Sequence, residues 1–532
     1  MSILYSDFYL LFKINRRKRG ELIKMSTSDV KKGIISSYGI LAADIVSGIL
    51  FTPFLIRSLG QSEYGVYSLI GAFVASLTVL DFGFGNAITR YIAQYRAEER
   101  KDKESNFIAM CLIIYVGIAV ATLLIGLGLL TYFDDIYKST FMEKELFIAK
   151  TMFIIMIVNL SFSFFIGTFN AYIQGYEKFP ILNLISFVRL GSRLFVLTIL
   201  LSLGYQSLAV VVVDTVLNLI SGCVYFFYAK NRLHMKIKLM NFDFKLLKEI
   251  SKYSSFVFIG NISDMLFWRT GLLISGAVSG TKAVAVYAIG ITLVSYFQYI
   301  SGVINAKIFP MITRMVIQGA NKVELTAFCS RIGRIQFMLL GGILIGFYSF
   351  GSEFIQLWVG EDYSLSWYVG IILMGVMIIQ AIQYPFVLIL RAKKNDGLRT
   401  LLQLVAMVLG SVLGFSLVQQ LGIIGMTVGL ALVILLLNVV VMNIYYVKVL
   451  GVNVLLFYGI LARLLPCMGI AYLVGLLINM MPGYAWGTFI LKCMIFILVY
   501  FICLWFIGTN ESEKALILNL KRKFIMENIP GA

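Results

Sequence analysis

VYSLIGAFVASLTVLDFGFGNAITRYIAQYRAEER, residues 66–100, runs from an apolar stretch through a glycine-containing break into a charged stretch. The apolar run continues to Leu80, and the break DFGFGN occupies Asp81 to Asn86. After the break, apolar residues recur at the i, i+3, i+4, i+7 spacing of a helix with one apolar face, namely Ile88, Tyr91, Ile92 and Tyr95. We therefore predict a membrane-spanning helix that bends at DFGFGN into a helix lying in the headgroup plane.

The break DFGFGN is a candidate hinge near the cytoplasmic mouth of the molecule, carried by Asp81, Gly83, Gly85 and Asn86. Glycines weaken a helix because they lose the most conformational freedom on folding. The asparagine side chain can cap the helix that follows. A plain helix end explains the same residues, and the sequence alone leaves both interpretations open.

The composition indicates that lipid surrounds most of the chain. Of 532 residues, 60% are hydrophobic and 14% are charged, whereas an ordinary soluble domain is about 25% charged. The single histidine and the six cysteines show no metal-ligand spacing, so we predict neither a metal site nor histidine-based catalysis. No cofactor is expected.

The net charge of +18 follows the pattern of a membrane protein and not that of a nucleic-acid-binding protein. Basic residues alternate with the apolar runs as the positive-inside rule requires. We predict about fourteen spans, with both termini in the cytoplasm. Whether the protein starts at Met1 or Met25 is left open.

The chain aligns with itself at a fixed offset, which predicts two halves of six spans each. The matching pairs are Lys32 and Lys252, Asp44 and Asp264, Gly60 and Gly280, Val66 and Val286, Tyr67 and Tyr287, and Val74 and Val294. Because six is even, both halves share one orientation and are related by a pseudo-two-fold axis along the membrane normal.

The predicted fold is an all-α membrane protein with two six-helix lobes and two additional C-terminal helices. The predicted parts are a cytoplasmic N-terminal segment (1–32), an N-lobe of spans one to six (33–229), a cytoplasmic basic linker (230–252), a C-lobe of spans seven to twelve (253–447), an extra helix pair (455–508) and a cytoplasmic tail (509–532). The basic linker is either a solvated connector or a site for anionic lipid headgroups.

The region 32–107 resembles the N-terminal part of oligosaccharide-lipid flippases of the Wzx type, a branch of the multidrug/oligosaccharidyl-lipid/polysaccharide exporter superfamily. The resemblance rests on LGQSEYGVYSL (59–69), LDFGFGNAITRYIAQYRAE (80–98) and the charged turn that follows. It implies two six-helix lobes around a central cleft, alternating access, and a polyprenyl-pyrophosphate-linked glycan as cargo. It also implies the plasma (inner) membrane of a prokaryotic cell as the location, and it makes membrane lipids and other polysaccharide-assembly membrane proteins candidate partners. Fourteen spans fall within the family's range.

Two repeat-related carboxylates lie near the middle of predicted spans. Asp44 is in span one and Asp264 is in span seven. An ionisable residue in the bilayer is costly and usually faces water or a partner. Both are candidates for ion coupling, and the sequence leaves open whether a coupling cation, H⁺ or Na⁺, is used at all.

Four basic residues inside spans five, seven and eight are candidates for binding the pyrophosphate that the resemblance implies: Arg189, Arg193, Arg269 and Lys307. The spacing of Arg189 and Arg193 places both guanidinium groups on one side of a helix. The alternative is an internal ion pair that locks helices together, such as Arg193 with Asp214.

Several functions compete with glycan-lipid transport. A peptidoglycan lipid-precursor flippase or a drug/cation antiporter of the same superfamily would share most of these features. A membrane glycosyltransferase or polymerase is disfavoured, because the longest predicted outer loops, 132–145 and 351–366, contain neither histidine nor arginine. We therefore expect a transporter and not an enzyme, and we expect spans thirteen and fourteen to form an apolar groove for the polyprenyl tail.

Overall fold

The computed structural model describes residues 16–511, 513 and 514, and its side chains are described outside 16–35, 38 and 251–256. Within these ranges the chain is helical and contains no β-strand. The prediction of an all-α membrane protein is therefore confirmed. Residues 1–15 of the predicted N-terminal segment and most of the predicted tail fall outside the described residues, and the choice between Met1 and Met25 stays open.

The α-helices follow one another with short connections. In chain order they are α1 (Arg16–Leu77), α2 (Phe84–Ala97), α3 (Lys101–Thr131), α4 (Phe133–Tyr137), α5 (Glu143–Gly175), α6 (Phe179–Ser202), α7 (Ser207–Asn231), α8 (Phe244–Ile317), α9 (Lys322–Val359), α10 (Ser366–Ala392), α11 (Gly397–Ile434), α12 (Met442–Tyr445), α13 (Val454–Ala462), α14 (Leu465–Asn479) and α15 (Trp486–Cys503). In the described ranges, ten helical segments are long and apolar enough to cross a membrane, or eleven if α13 and α14, bent by 42°, form one span.

Three of the longest helices contain a glycine with a non-helical backbone, at the places where the sequence predicts turns between spans. These are Gly60 (φ 75°), Gly280 (φ 82°) and Gly422 (φ 59°). Positive φ values at these positions suit glycine, which has no Cβ. The count of fourteen spans stays a prediction, since it requires each glycine to separate two spans.

Close contacts show that two of these helices fold back on themselves. A Cβ built on Gly410, before Gly422, would lie 3.2 Å from the Cα of Leu430, which follows it. Likewise a Cβ on Gly271 would overlap the ring of Tyr287, on the far side of the Gly280 turn. The arms of α11 and of α8 therefore pack side by side, as small residues allow between membrane helices.

The chain forms two compact units. Unit 1 takes in the described residues up to Leu59, together with Leu77–Tyr132 and Lys150–Ser255. Unit 2 takes in Gly60–Ser76, Phe133–Ala149 and the described residues from Phe256 onward. Unit 2 thus holds two segments that the sequence places in the N-lobe. The pseudo-two-fold arrangement of the lobes stays a prediction.

The two repeat-related turns, GQSEYGVY and GTKAVAVY, meet within unit 2. A Cβ built on Gly65 would lie 2.7 Å from the carbonyl carbon of Thr281 and closer still to its oxygen. The Thr281 hydroxyl also donates a hydrogen bond to Glu145 Oε1, at 3.0 Å, and lies 3.3 Å from Ser62 Oγ. We refer to this backbone approach as the Gly65–Thr281 contact. This contact connects segment 60–76 to α8 within unit 2, and the hydrogen bond to Glu145 connects segment 133–149 to it.

The motif DFGFGN forms a tight bend. A 3₁₀ turn, Thr78–Asp81, leads into two consecutive residues with left-handed backbone, Phe82 (φ 50°) and Gly83 (φ 76°). The carboxylate of Asp81 accepts a hydrogen bond of 2.7 Å from the Tyr115 hydroxyl of α3. The bend is therefore built from backbone reversal and from one side-chain anchor.

Asn86 does not cap the helix that follows the bend, so that expectation is wrong. The helix α2 begins at Phe84, with Gly83 in the N-cap position and no side-chain hydrogen bond there. Asn86 lies inside the first turn, and its side chain is exposed. Because the left-handed residues Phe82 and Gly83 reverse the backbone, the helix begins at Phe84, before the position that Asn86 would cap.

The apolar face of α2 packs on protein. Ile88 and Ile92 are completely buried, and a Cβ built on Gly175 of α5 would lie 2.7 Å from Ile92 Cγ2. The rings of Tyr91 and Tyr95 contact Phe107 of α3, at centroid distances of 5.4 and 5.8 Å. A helix held by the headgroup plane alone would turn this face toward lipid. The glycine on α5 allows the helix to dock on its neighbours instead.

Candidate functional site

A polar cavity of about 800 Å³ lies inside unit 2. Its wall is formed by α8, α10, the start of α11 and the segment around α12. The charged lining residues are Asp264, Arg391, Asp396 and Arg399, and the amides are Asn261, Gln298, Asn305, Gln380, Gln383, Gln403 and Asn438. Such a density of polar groups inside a membrane-spanning bundle is costly unless it serves a polar ligand or ion.

The two arginines of the cavity differ in their partners. Arg391, at the end of α10, forms an ion pair of 3.5 Å with Asp396 and donates a hydrogen bond of 3.1 Å to the Tyr384 hydroxyl. Arg399, in the first turns of α11, is half-buried and forms no hydrogen bond or ion pair with the described residues. The positive charge of Arg399 attracts the carboxylate of Asp264 electrostatically, but the two side chains form no direct ion pair. Arg399 is therefore the cation available to an anionic ligand.

Buried amides fix the polar wall. Gln336 of α9 donates to Asn305 at 2.6 Å, and Asn305 donates to Ser301 at 3.1 Å. On the other side Gln383 donates to Asn443 at 2.9 Å. The Oε1 atom of Gln383, which lines the cavity, is buried without a hydrogen-bond partner among the described residues. Unpaired buried acceptors are rare, so this oxygen is available to a ligand donor.

Asp264 is the predicted site residue that the structure places in the cavity. Arg269 and Lys307 lie on the same helix, α8, but neither is among the cavity-lining residues. Arg269 is half-buried and Lys307 is exposed. The cavity thus brings Asp264 together with arginines that the sequence did not single out.

Arg193 is held by a carboxylate. Its Nε and Nη2 atoms donate to Asp214 of α7, at 2.6 and 3.1 Å. This is the two-pronged geometry in which arginine pairs with carboxylates most strongly. Arg189, one turn earlier on α6, is exposed, and no ion pair with a described residue holds it. The role of both arginines in pyrophosphate binding stays a prediction.

Asp44 lies in unit 1 and is not among the residues that line the polar cavity. Its side chain is exposed on α1, and its backbone carbonyl accepts a hydrogen bond of 3.0 Å from the Ser47 hydroxyl. The two repeat-related aspartates therefore have different surroundings. No cluster of three potential metal ligands occurs in the described portion of the chain, and ion coupling through Asp44 or Asp264 stays a prediction.

An apolar groove of about 700 Å³ runs between α9 and α15. Along α9 its wall extends from Arg331 to Phe354, which is about 35 Å at 1.5 Å per residue. This length is close to the thickness of the hydrocarbon core of a bilayer, about 30 Å. Phe496 and Tyr500 of α15 stack in parallel along the opposite wall.

Buried ion pairs stand at both ends of this groove. At one end, Lys492 binds Glu353 at 2.9 Å, with side chains 3% and 5% exposed. At the other end Arg334, 4% exposed, binds Glu513 through Nε and Nη2, at 3.0 Å each. These pairs fix α15 and its C-terminal extension on α9.

The extra helix pair packs on α9 in unit 2, but the groove differs from the predicted one. It lies between α9 and α15. Of the predicted pair, span fourteen (α15) therefore lines the groove, whereas span thirteen (α13 and α14), which was expected to contribute as well, is not among the lining elements. Span thirteen is pressed against α9, because a Cβ built on Gly475 would lie 3.1 Å from Ser349 Cβ. By contrast, Gly459 of α13 and Gly469 of α14 have open space at the position of an added Cβ.

The family of polysaccharide biosynthesis proteins matches residues 30–316, which is more than half of the chain. The protein belongs to this family. The resemblance inferred from the DFGFGN region is thereby confirmed. This polysaccharide biosynthesis protein is also 20% identical, over 416 residues, to a Shigella flexneri protein whose name gives O-antigen transport as its proposed function. The match covers 77% of the chain and 96% of the relative.

Two solved structures share the fold of this family member. The lipid II flippase MurJ, in an inward closed conformation, superposes with a TM-score of 0.64 at 14% identity, covering 88% of this chain and 97% of that one. An inward-facing MATE family transporter of the MOP superfamily gives a TM-score of 0.59 at 14% identity, covering 76% and 94%. At these identities the likeness establishes the fold.

Sequence reasoning missed Arg391 and Arg399 in this polysaccharide biosynthesis protein. Both flank the short connection between two predicted spans, where a basic residue is expected from the positive-inside rule alone. The signal that could have found Arg399 is its helical register, since it lies on α11 just after Gly397 and not in the turn. Its proximity to Asp264 depends on tertiary packing, which no local pattern encodes.

Breaking the Arg334–Glu513 pair should strongly destabilise the helix pair. Removing one partner of a buried ion pair typically costs about 3–5 kcal/mol. We expect Arg334→Met to lower the unfolding midpoint of the purified protein, as followed by fluorescence-detected size exclusion after heating. Arg314→Met, which removes the same charge from an exposed position of α8, is the matched control and should leave the midpoint unchanged.

The same pair should make stability depend on pH. Burial alone would raise the pKa of Glu513, but hydrogen bonds from Arg334 and from the Asn510 backbone outweigh it, and the pKa lies below its ordinary value of 4.5. A lowered pKa stabilises the fold above the ordinary value, and the contribution is lost as the pH falls through the lowered one. A midpoint for Arg334→Met equal to that of the wild type at neutral pH would contradict this account.

Proposed function

We propose that the protein is a flippase that moves a polyprenyl-pyrophosphate-linked oligosaccharide from the cytoplasmic to the outer leaflet, for cell-surface polysaccharide biosynthesis. Transport would proceed by alternating access. The observation that carries the proposal is that unit 2 combines a polar cavity, in which Arg399 has no ion-pair partner among the described residues, with a separate, membrane-length apolar groove. A lipid-linked glycan has a polar part that suits the cavity and an apolar tail that suits the groove.

The polar cavity suits a pyrophosphate and the first sugars. Arg399 offers a planar guanidinium without a competing carboxylate in contact among the described residues, which matches phosphate oxygens. The amide side chains around it supply donors and acceptors for sugar hydroxyls. Arg189 of unit 1 remains a further candidate for the same cargo, because no ion pair with a described residue holds it. Arg193 is a weaker candidate, because it already binds Asp214.

The apolar groove suits the polyprenyl tail. A prenyl chain requires a continuous apolar surface about as long as the hydrocarbon core, and the groove along α9 has that length. The ring of Phe496 packs closely on Gly346, where an added Cβ would lie 3.2 Å from its Cε1 atom. The ion pairs at its ends hold the walls together while the groove stays open to lipid.

The family and the relatives support transport of a glycan lipid. The chain belongs to the polysaccharide biosynthesis proteins, and the solved structures that share its fold are a lipid II flippase and multidrug transporters. The alternation of basic and acidic loops supports an inner-membrane orientation with both termini in the cytoplasm. Coupling to H⁺ or Na⁺ through Asp44 or Asp264 belongs to the proposal as an option.

Deletion of the gene in its own host tests the proposed function even while the glycan is unidentified. We expect surface polysaccharide to disappear and a lipid-linked oligosaccharide to accumulate on the cytoplasmic side, protected from a membrane-impermeant oxidant in intact cells. Re-expression of the wild type should restore both to normal. Unchanged surface polysaccharide with lost cell-wall synthesis would favour a peptidoglycan-precursor flippase, and altered drug sensitivity alone would favour an antiporter.

A further inference from the structure

The basic linker crosses from α7 to α8 as a non-helical strap, residues 233–243, with both ends fixed by hydrogen bonds. At the first end the Met235 N–H donates to the Ala229 carbonyl of α7, at 3.0 Å. At the second end the Asp243 carboxylate accepts hydrogen bonds from the N–H groups of Lys245 and Leu246, at 2.9 and 3.0 Å. Asp243 therefore caps α8, which begins nine residues before the predicted C-lobe boundary at 253 because of this cap.

The middle of the strap is clasped by Asn106 on α3. Its Oδ1 accepts from the N–H groups of Met240 and Asn241, at 2.6 and 3.0 Å, and its Nδ2 donates to the Asn241 carbonyl at 2.8 Å. The Lys238 N–H adds a longer bond of 3.4 Å to the Ser105 carbonyl. A solvated connector needs no such clasp, and this one orients the side chains of the strap.

The clasped strap presents lysines alternating with bare apolar side chains. Lys236 and Lys238 are exposed, and the intervening Ile237 and Leu239 are 47% and 49% exposed. Phe244, at the start of α8, is 73% exposed. These three side chains keep about half or more of their surface exposed, although the ring of Phe244 contacts that of Phe242 at a centroid distance of 4.9 Å. They suit the surface of a lipid bilayer, in which an apolar interior lies beneath a layer of charged headgroups.

Such a surface is next to the strap, because the segments that it joins, Ser207–Asn231 and Val257–Ile317, are both candidate membrane spans. We propose that the strap is a binding site for anionic phospholipid headgroups of the bilayer. The two lysines take the phosphates, and the apolar side chains enter the interfacial layer, as in interfacial anchors. Asp243, the one carboxylate within the strap, is occupied by its cap and does not oppose the lysines.

Purified full-length protein titrated with dioctanoyl phosphatidylglycerol tests the site, with dioctanoyl phosphatidylcholine as the neutral probe. We expect preferential binding of the anionic lipid and a loss of about fivefold in affinity for each lysine removed, thus roughly 25-fold for Lys236→Gln with Lys238→Gln. Added salt should weaken binding to the wild type more than to the double variant. Ile237→Ser with Leu239→Ser should weaken binding without changing its salt dependence.

Matched controls separate the strap from general surface charge. Lys138→Gln with Lys144→Gln removes the same charge from two exposed positions in an acidic loop and should bind as the wild type. Unfolding midpoints without lipid verify that each variant is folded. The proposal is overturned if the Lys236/Lys238 variant keeps wild-type affinity, or if inorganic phosphate displaces the lipid at equal concentration, which would indicate a simple anion site.

Discussion

Gly65→Ala should severely reduce transport while the protein still accumulates in the membrane. At this position a Cβ would overlap the backbone of Thr281, and a backbone carbonyl cannot rotate away as a side chain could. Forcing an extra carbon into a packed contact costs about 1–3 kcal/mol, and here the neighbour must move as a whole. That cost falls only on the conformation in which the Gly65–Thr281 contact is closed. We therefore expect its population to fall by about fivefold to a hundredfold.

Accessibility of Ser62→Cys to a maleimide reports the opening directly, since Ser62 contacts Thr281 when the turns meet. Labelling should be faster in the Gly65→Ala background. Gly71→Ala is the control: it adds the same methyl group on the same helix where open space surrounds the Cβ position, and it should behave as the wild type. Identical labelling and transport in the two alanine variants would show that the contact is not closed during the cycle.

Arg399→Gln should abolish transport of the glycan lipid. Arg399 is half-buried in the polar cavity and lacks an ion-pair partner among the described residues, whereas Arg391 is occupied by Asp396 and Tyr384. A cation kept without a partner in such a place is expected to serve a ligand. Arg399→Lys should retain only part of the activity, because an ammonium group lacks the planar fork of arginine. Lys393→Gln, which removes an exposed charge nearby, should have little effect.

A double variant distinguishes ligand binding from charge balance. If Arg399 exists to neutralise Asp264, then Asp264→Asn combined with Arg399→Gln should recover transport that each single variant loses. If Arg399 binds the cargo, the double variant should remain as inactive as Arg399→Gln. Accumulated glycan lipid on the cytoplasmic side is the measure for all four proteins. Normal transport by Arg399→Gln would remove the cavity from the pathway.

The sequence predicted the helical membrane fold and the positions of its turns because these depend on local properties. Apolar runs of spanning length and glycines between them are visible without tertiary information. The bend at DFGFGN was predicted from its glycines, but the left-handed backbone of Phe82 was not, because a large side chain rarely adopts it. Without that left-handed residue the helix would be expected to begin later, so Asn86 was predicted as its cap.

The site was less predictable, because it depends on which helices meet. Arg193 and Asp214 lie on consecutive helices, so their pairing could be considered from the sequence. Asp264 and Arg399 are separated by several spans, and Arg399 lies next to a short connection, where a basic residue is expected from topology alone. Span thirteen was expected to help form the groove, but Gly475 lets α14 pack directly against α9, and the groove lies between α9 and α15 instead. No periodicity within one helix encodes that choice.

Gly60 and Gly280 have nearly the same backbone conformation, with φ 75° and ψ 167° in one and φ 82° and ψ −175° in the other. This conformation is essentially restricted to glycine. Around them, GQSEYGVY and GTKAVAVY have diverged at most positions. If the halves arose by gene duplication, selection at these two codons acts on the absence of a side chain and not on any chemistry. Searches for remote relatives that weight such turn glycines should therefore detect the ancestral duplication after ordinary residue similarity has faded.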